Sequence, residues 1–199
     1  MVPIFLGSII ALAIFFERIW SLQETRIIPR GLLGRVISAI DNDKLPAARE
    51  ECLRSNTPLA RLLLTGIDAV KRGPKEVRTL LEDAGRREVS RMERYIEAMG
   101  TTASVEPLLG LLGTVIGMIR VFQKVVVTSR QGAVDPGQLA NGIWQALITT
   151  AAGMSVAIIA FVGYRYLLSR CNRHSVDLEE SALLLLDLLD SQEDAKDKG

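Results

Sequence analysis

Three long apolar stretches, separated by segments rich in charge, constrain the fold of this chain more than any other feature. Apolar residues make up 48% of the chain and charged residues 24%, and the two classes are segregated along the sequence. A soluble domain would instead intersperse them in amphipathic patterns. Because a helix needs about 20 mostly apolar residues to cross a bilayer, the sequence predicts an all-α integral membrane protein with three transmembrane helices.

The predicted spans are residues 1–22, 105–127 and 139–168. The remaining segments are a helical domain, a short loop and a helix with a disordered tail, at 23–104, 128–138 and 169–199. Residues 1–6 lack the positive charges that open a secretory signal, so we expect the first stretch to be a span.

Positive charges predict the orientation of the spans. Arginines cluster after the first span, before the second and after the third, at Arg18, Arg26, Arg30, Arg35, Arg86, Arg87, Arg91, Arg94, Arg165, Arg170 and Arg173. The connection at 128–138 holds only Arg130 and Asp135. By the positive-inside rule, we expect the N-terminus and this connection outside, and segment 23–104 and the C-terminus in the cytoplasm. We expect Arg18 to snorkel and Trp20 to lie at an interface.

Long helices are expected to continue from the spans into the cytoplasm. A helix should start at Gly73–Pro74, and its apolar residues recur at helical spacing from Val77 to Met99 without a strong breaker before the second span. The third span should likewise extend through Leu189, and Ser191–Gly199 should be disordered. Turns between shorter helices are predicted at Asn42–Pro46 and Ser55–Pro58.

Small residues on the second and third spans predict a closely packed antiparallel hairpin. Glycines let two helix backbones approach each other where lipid offers no hydrophobic drive for association. The helix-packing glycines are Gly110, Gly113 and Gly117 on the second span and Gly153 on the third.

Polar side chains at membrane depth are the strongest indication of function. They are Thr114 on the second span and Asn141, Gln145, Thr149 and Thr150 on the third. Such residues face a bundle interior or a water-filled path, and as a stripe they favour a lumen shared by an oligomer. The alternative is that the threonines satisfy backbone carbonyls and that Gln145 bridges neighbouring helices.

Other classes of function find little support in the sequence. The formal net charge of +1 gives no case for a basic nucleic-acid binder. Cys52 and Cys171 match no zinc spacing, and we expect reduced thiols. His174, the single histidine, is expected to be solvated or interfacial. Without a metal spacing, nucleophile elbow or phosphate-binding loop, we predict no enzyme, cofactor or metal site.

Two extended motifs carry a family resemblance. PLLGLLGTVIG at 107–117, continuing to Phe122–Gln123, resembles the second-span motif of ExbB and TolQ, and GIWQALITTAAG at 142–153 resembles their third-span motif. The Glu17–Arg18 pair is similar too. The chain therefore resembles the proton-driven ExbB/TolQ/MotA stator family. Because MotA-type stators have four spans, the ExbB and TolQ branches fit better, with a lean towards ExbB.

The resemblance implies an assembly and a mechanism. Five copies would form a bundle around a central lumen that holds the single spans of two ExbD/TolR-type partner chains. Protons would flow by way of an aspartate on the partner, in the bacterial inner membrane, and power a periplasmic TonB- or TolA-type protein. The N-terminus would be periplasmic. By motif position, Thr114 and Thr150 correspond to the lumen-lining threonines of the family.

The sequence departs from the family pattern at two positions. Gln145 stands where ExbB and TolQ usually have Glu, and an amide cannot take up and release a proton. This departure supports an alternative, a non-conducting scaffold that organises a partner protein. Glu106 stands where the family more often has a small residue, and it could accept protons at the inner mouth, although pairing with an arginine or a headgroup-level position is favoured. Arg120 and Lys124 would form a positive collar in a ring, but snorkelling is favoured.

Overall fold

The computed structural model describes the backbone of residues 2–129 and 136–197, and the side chains of 2–127 and 136–191. These residues form helices and no strand. The α-helices are α1 (Val2–Ser21), α2 (Glu24–Ile27), α3 (Leu32–Asp41), α4 (Leu45–Ser55), α5 (Pro58–Ala69), α6 (Pro74–Ser129) and α7 (Pro136–Asp197), with a 3₁₀ turn at Val70–Arg72.

Three of these helices, α1, α6 and α7, are long and apolar enough to cross a membrane. The all-α fold with three spanning helices that the sequence predicts is therefore confirmed. α6 is a single helix of 56 residues and α7 one of 62 residues, so both extend well beyond the length that a bilayer requires. Pro107 lies inside α6; its missing N–H leaves the carbonyl of Ala103 without a helical donor.

Local sequence explains where the helices begin. Gly73 has a φ of +89°, a conformation that favours glycine, and Pro74 starts α6 with a φ already suited to a first helical turn. Thr57 caps α5, because its hydroxyl accepts a hydrogen bond from the Ala60 N–H at 3.3 Å. α3 ends at Asp41 and α4 at Ser55, at the two turns that the sequence predicts.

The helices extend further than the sequence predicts at two places. α7 continues to Asp197, through most of the segment 191–199 that we expected to be disordered. Residues 191–197 contain neither Gly nor Pro and include Gln, Glu, Ala and Lys, which favour helix. The predicted connection 128–138 is helical at both ends, and its central residues, 130–135, lie outside the described residues.

The chain divides into two compact units. The apolar unit consists of residues 1–18 and 95–167 and contains α1 as far as Arg18 together with the apolar parts of α6 and α7. One buried cluster in it takes a small side chain from each helix: Ala11, Ala103 and Ala160. Small residues let helices pack closely in a membrane, so the three helices can approach one another at this cluster.

The charged unit consists of residues 19–94 and 168–199 and has a leucine-rich core. Leu59, Leu62 and Leu63 of α5 are fully buried, with Leu81 and Leu185. Glu88 is 5% exposed and is held by two arginines, Arg61 at 2.5 Å and Arg91 at 2.7 Å. A buried carboxylate needs such partners, because its desolvation would otherwise be costly.

His174 and Cys52 lie inside the charged unit. His174 is 5% exposed, and its Nε2 lies 3.1 Å from the carbonyl oxygen of Leu22. The expectation of a solvated histidine is therefore wrong, because the extension of α7 packs this face against the residue that follows α1. Burial raises the pKa of the Cys52 thiol to about 11, which keeps it protonated at neutral pH.

Arg18, in the apolar unit, is buried where we expected it to snorkel. Its side chain is 7% exposed and lies 3.2 Å from Glu17. Its guanidinium is 4.4 Å from the centre of the Tyr95 ring, a cation–π arrangement. The Glu17 carboxylate and the Tyr95 ring together offset part of the cost of taking this charge out of water.

Candidate functional site: a polar groove on the helix hairpin

The parts of α6 and α7 in the apolar unit form a hairpin whose backbones approach closely at glycines. A Cβ added at Gly153 would lie 2.8 Å from the carbonyl oxygen of Glu106 and 3.0 Å from the Cα of Gly110. A Cβ at Gly110 would lie 3.1 Å from the Cα of Thr150. The structure also places Gly113 against Thr149 and Gly117 against Ala146. All four predicted packing glycines therefore lie on the contact between these two helices.

A hydrogen bond between the two helices fixes their register. The Thr150 hydroxyl donates to the carbonyl oxygen of Gly110 at 2.9 Å. The glycine makes this possible, because a side chain there would hold the helices apart. Thr150 thus has a partner within its own chain.

The other two threonines bond within their own helices. Thr114 donates to the carbonyl of Leu111 at 2.7 Å, and Thr149 donates to that of Gln145 at 3.1 Å. This matches the alternative in which threonines satisfy backbone carbonyls. Their hydroxyl oxygens keep lone pairs that can accept a further hydrogen bond.

A groove of about 1000 Å³ runs along the hairpin beside the glycine contact. Asn141, Gln145 and Thr149 line it, because residues four apart share one face of a helix. Thr114 and Thr150 are not among its lining residues. The structure thus brings together three of the five polar residues that the sequence selects.

Two basic residues that we expected to snorkel also line this groove. Arg120 and Lys124 are exposed on α6 and share its lining with Gln145. A signal for this was present in the sequence, since Gly113, Gly117, Arg120 and Lys124 follow one another at helical spacing on one face. The groove can therefore bind polar or negatively charged groups.

Glu106 lies away from the groove, and its carboxyl is buried. The residue is 1% exposed, and a Cβ added at Gly7 of α1 would overlap its Oε1. Its Oε2 has no hydrogen-bond partner among the described residues. The expected pairing with an arginine is not found among the described residues, because the missing side chain of Gly7 admits the carboxyl into a helix contact.

Comparison with known families decides what kind of hairpin this is. The profile of the MotA/TolQ/ExbB proton channel family matches residues 54–180, which include the glycine contact and the groove. The chain belongs to this family. The resemblance inferred from the two motifs is therefore confirmed.

Individual members of the MotA/TolQ/ExbB family are similar over most of the chain. An ExbB-like protein of Synechocystis sp. is 36% identical over 169 residues, which cover 85% of this chain and 66% of that protein. The biopolymer transport protein exbB1 of Vibrio cholerae is 29% identical over 188 residues, covering 90% and 79%. The Tol-Pal system protein TolQ of Haemophilus influenzae is 30% identical over 158 residues, covering 79% and 65%.

These relatives include both ExbB and TolQ proteins, and the chain spans about two thirds of the length of the Synechocystis and Haemophilus proteins. Membership of this family and three apolar helices of spanning length indicate an inner-membrane protein.

Proposed function

We propose that this chain is an ExbB/TolQ-like stator subunit, which uses proton flow to drive a mechanical partner. The observation that carries the proposal is the groove, where Asn141, Gln145 and Thr149 form a polar row at membrane depth. Polar groups at this depth are costly unless they face a polar path or a partner. The glycine contact beside the groove holds α6 and α7 together and so keeps these three side chains in position.

The groove also supports the proposed partners. A single hairpin cannot enclose a lumen, so we infer a homo-oligomer, a pentamer by analogy with the family. The lumen would hold two single-span chains of the ExbD/TolR type. Arg120 and Lys124 would attract a partner carboxylate, and Gln145 could donate a hydrogen bond to it. A TonB- or TolA-type protein would receive the motion.

The proposed orientation places both long cytoplasmic extensions on one side. The N-terminus and the connection between α6 and α7 would be periplasmic, and the C-terminus would be cytoplasmic. The protein would then act through binding and motion, without enzymatic turnover or a cofactor.

The substitution Gln145→Glu tests whether the groove lies on a proton path. A glutamate can take up and release a proton where the amide cannot. We expect the pH dependence of energy-dependent function to differ between the variant and the wild type. The same difference should appear in the proton flux into vesicles that contain the whole complex. Glu97→Gln, which removes an exposed carboxylate from α6, is the control and should leave the pH profile unchanged.

A non-conducting scaffold is the second candidate, and the amide at Gln145 is the observation that favours it. A scaffold binds its partner through shape and hydrogen bonds, so its pH profile would not respond to the charge at this position. Identical profiles for wild type and Gln145→Glu, with the complex intact, would therefore support the scaffold and count against the proton path.

A further inference from the structure

The Glu106 carboxyl lies where the three helices of the apolar unit meet. Its Oε1 occupies the space beside Gly7 of α1, and a Cβ added at Gly7 would be 2.9 Å from its Cδ and 3.7 Å from the Cγ2 of Thr102. The backbone carbonyl oxygen of Glu106 would be 2.8 Å from a Cβ added at Gly153 of α7. One residue therefore contacts α1 through its side chain and α7 through its backbone.

No charged group among the described residues is close enough along these helices to balance an ionised carboxylate. α1 has none in residues 2–16, α7 none in 136–163, and α6 none but Glu106 in 98–119. The nearest titratable or charged groups are Glu17 and Arg18 on α1 and Tyr164 and Arg165 on α7. On α6 they are Glu97 and Arg120, one on each side of Glu106. At 1.5 Å per residue, Glu97 is about 13 Å along α6, and the others are farther from the contact.

We propose that Glu106 is a proton-binding site whose neutral acid form stabilises the packing of α1 against the hairpin at Gly7. An ionised carboxylate without a partner is disfavoured in an apolar helix contact. The neutral acid fits the space beside Gly7, and its one O–H needs a single acceptor, whereas a carboxylate needs several donors. When the proton leaves to water, the carboxylate must be solvated, so the contact with α1 loosens.

This inference goes beyond the proposed function, because the contact stands whether or not protons pass a partner in the groove. Gln145 cannot supply a carboxyl group, and Glu106 supplies one at another place in the apolar unit. Proton binding there would change the packing of α1, not the electrostatics of the groove.

Infrared difference spectroscopy of the whole protein in an ester-free detergent tests the protonation directly. The wild type should show the C=O stretch of a protonated carboxylic acid at neutral pH, where exposed carboxyls are ionised. The band should disappear in Glu106→Gln and persist in Glu97→Gln, which removes an exposed carboxyl from the same helix. Spectra that coincide for wild type and Glu106→Gln would overturn the proposal.

Hydrogen exchange of residues 2–16 tests the link to packing. As pH rises, exchange in the wild type and Glu97→Gln should increase several-fold relative to Glu106→Gln, which stays neutral. Gly7→Ala, whose methyl group takes the space of Oε1, should increase exchange at every pH. Equal exchange in wild type and Glu106→Gln at all pH values would overturn the proposal. If Glu106→Gln fails to fold, Glu106→Met, neutral and of similar length, takes its place in both measurements.

Discussion

Substituting Gly153→Ala is expected to destabilise the apolar unit by about 1–3 kcal/mol, as overpacked cores do. The added methyl group would lie 2.8 Å from the carbonyl oxygen of Glu106 and 3.0 Å from the Cα of Gly110. Both are backbone atoms, so the two helices have to move apart. The midpoint of unfolding in mixed detergent, followed by circular dichroism, should fall.

Gly34→Ala is the matched control for this prediction. Gly34 lies within α3, and a Cβ there would meet nothing within 4 Å. Replacing an unhindered helical glycine by alanine usually stabilises a helix by about 0.5–1 kcal/mol. The two substitutions should therefore shift stability in opposite directions, and a stabilising Gly153→Ala would contradict the close contact.

Substituting Thr150→Val is expected to abolish energy-dependent function while the complex still assembles. Valine keeps the shape of threonine but removes the hydroxyl that donates to Gly110 at 2.9 Å. Interhelical hydrogen bonds in membranes contribute about 0.6 kcal/mol on average and up to about 1.7, so the hairpin should stay folded through its glycine contacts while the side chain at 150 is no longer tied to Gly110. Energy-dependent function is measured as the rate of the periplasmic process that the complex powers through its partner. Assembly is measured by size-exclusion chromatography.

Thr150→Ser retains the hydroxyl and is the control. It should keep both the hydrogen bond and function, whereas loss of function in Thr150→Ser would assign the effect to the lost methyl group. Full function in Thr150→Val, with normal amounts of complex, would remove the role that we assign to this hydroxyl.

The spanning helices were predictable because they depend on local properties of the sequence. The length of an apolar run and the absence of breakers between Pro74 and the second span suffice to predict α1, α6 and α7. The packing glycines could be selected for a similar reason, since few explanations other than close approach account for several glycines at helical spacing.

Contacts between distant segments could not be read in the same way. The partner of Thr150 is 40 residues away, and nothing in the local pattern names it. For Glu106 and His174 the sequence predicts polar surroundings, because charged and titratable side chains usually lie there. Their burial depends on Gly7 and Leu22, which belong to other parts of the chain.

The groove was only partly predictable from the sequence. Asn141, Gln145 and Thr149 follow from spacing on α7, but Thr150 is one residue further round the helix and turns towards Gly110. For Arg120 and Lys124 the sequence predicts a position at the interface, because long basic side chains commonly snorkel. Their place in the groove depends on how α6 lies against α7.

Native mass spectrometry of the complex, extracted from its own membranes through a tag after Gly199, tests the stator function most directly. We expect five copies of this chain bound to two copies of a small single-span protein with an aspartate in its span. A complex of this chain without any such partner would contradict the proton-driven stator, and the polar row would then be explained by helix packing alone.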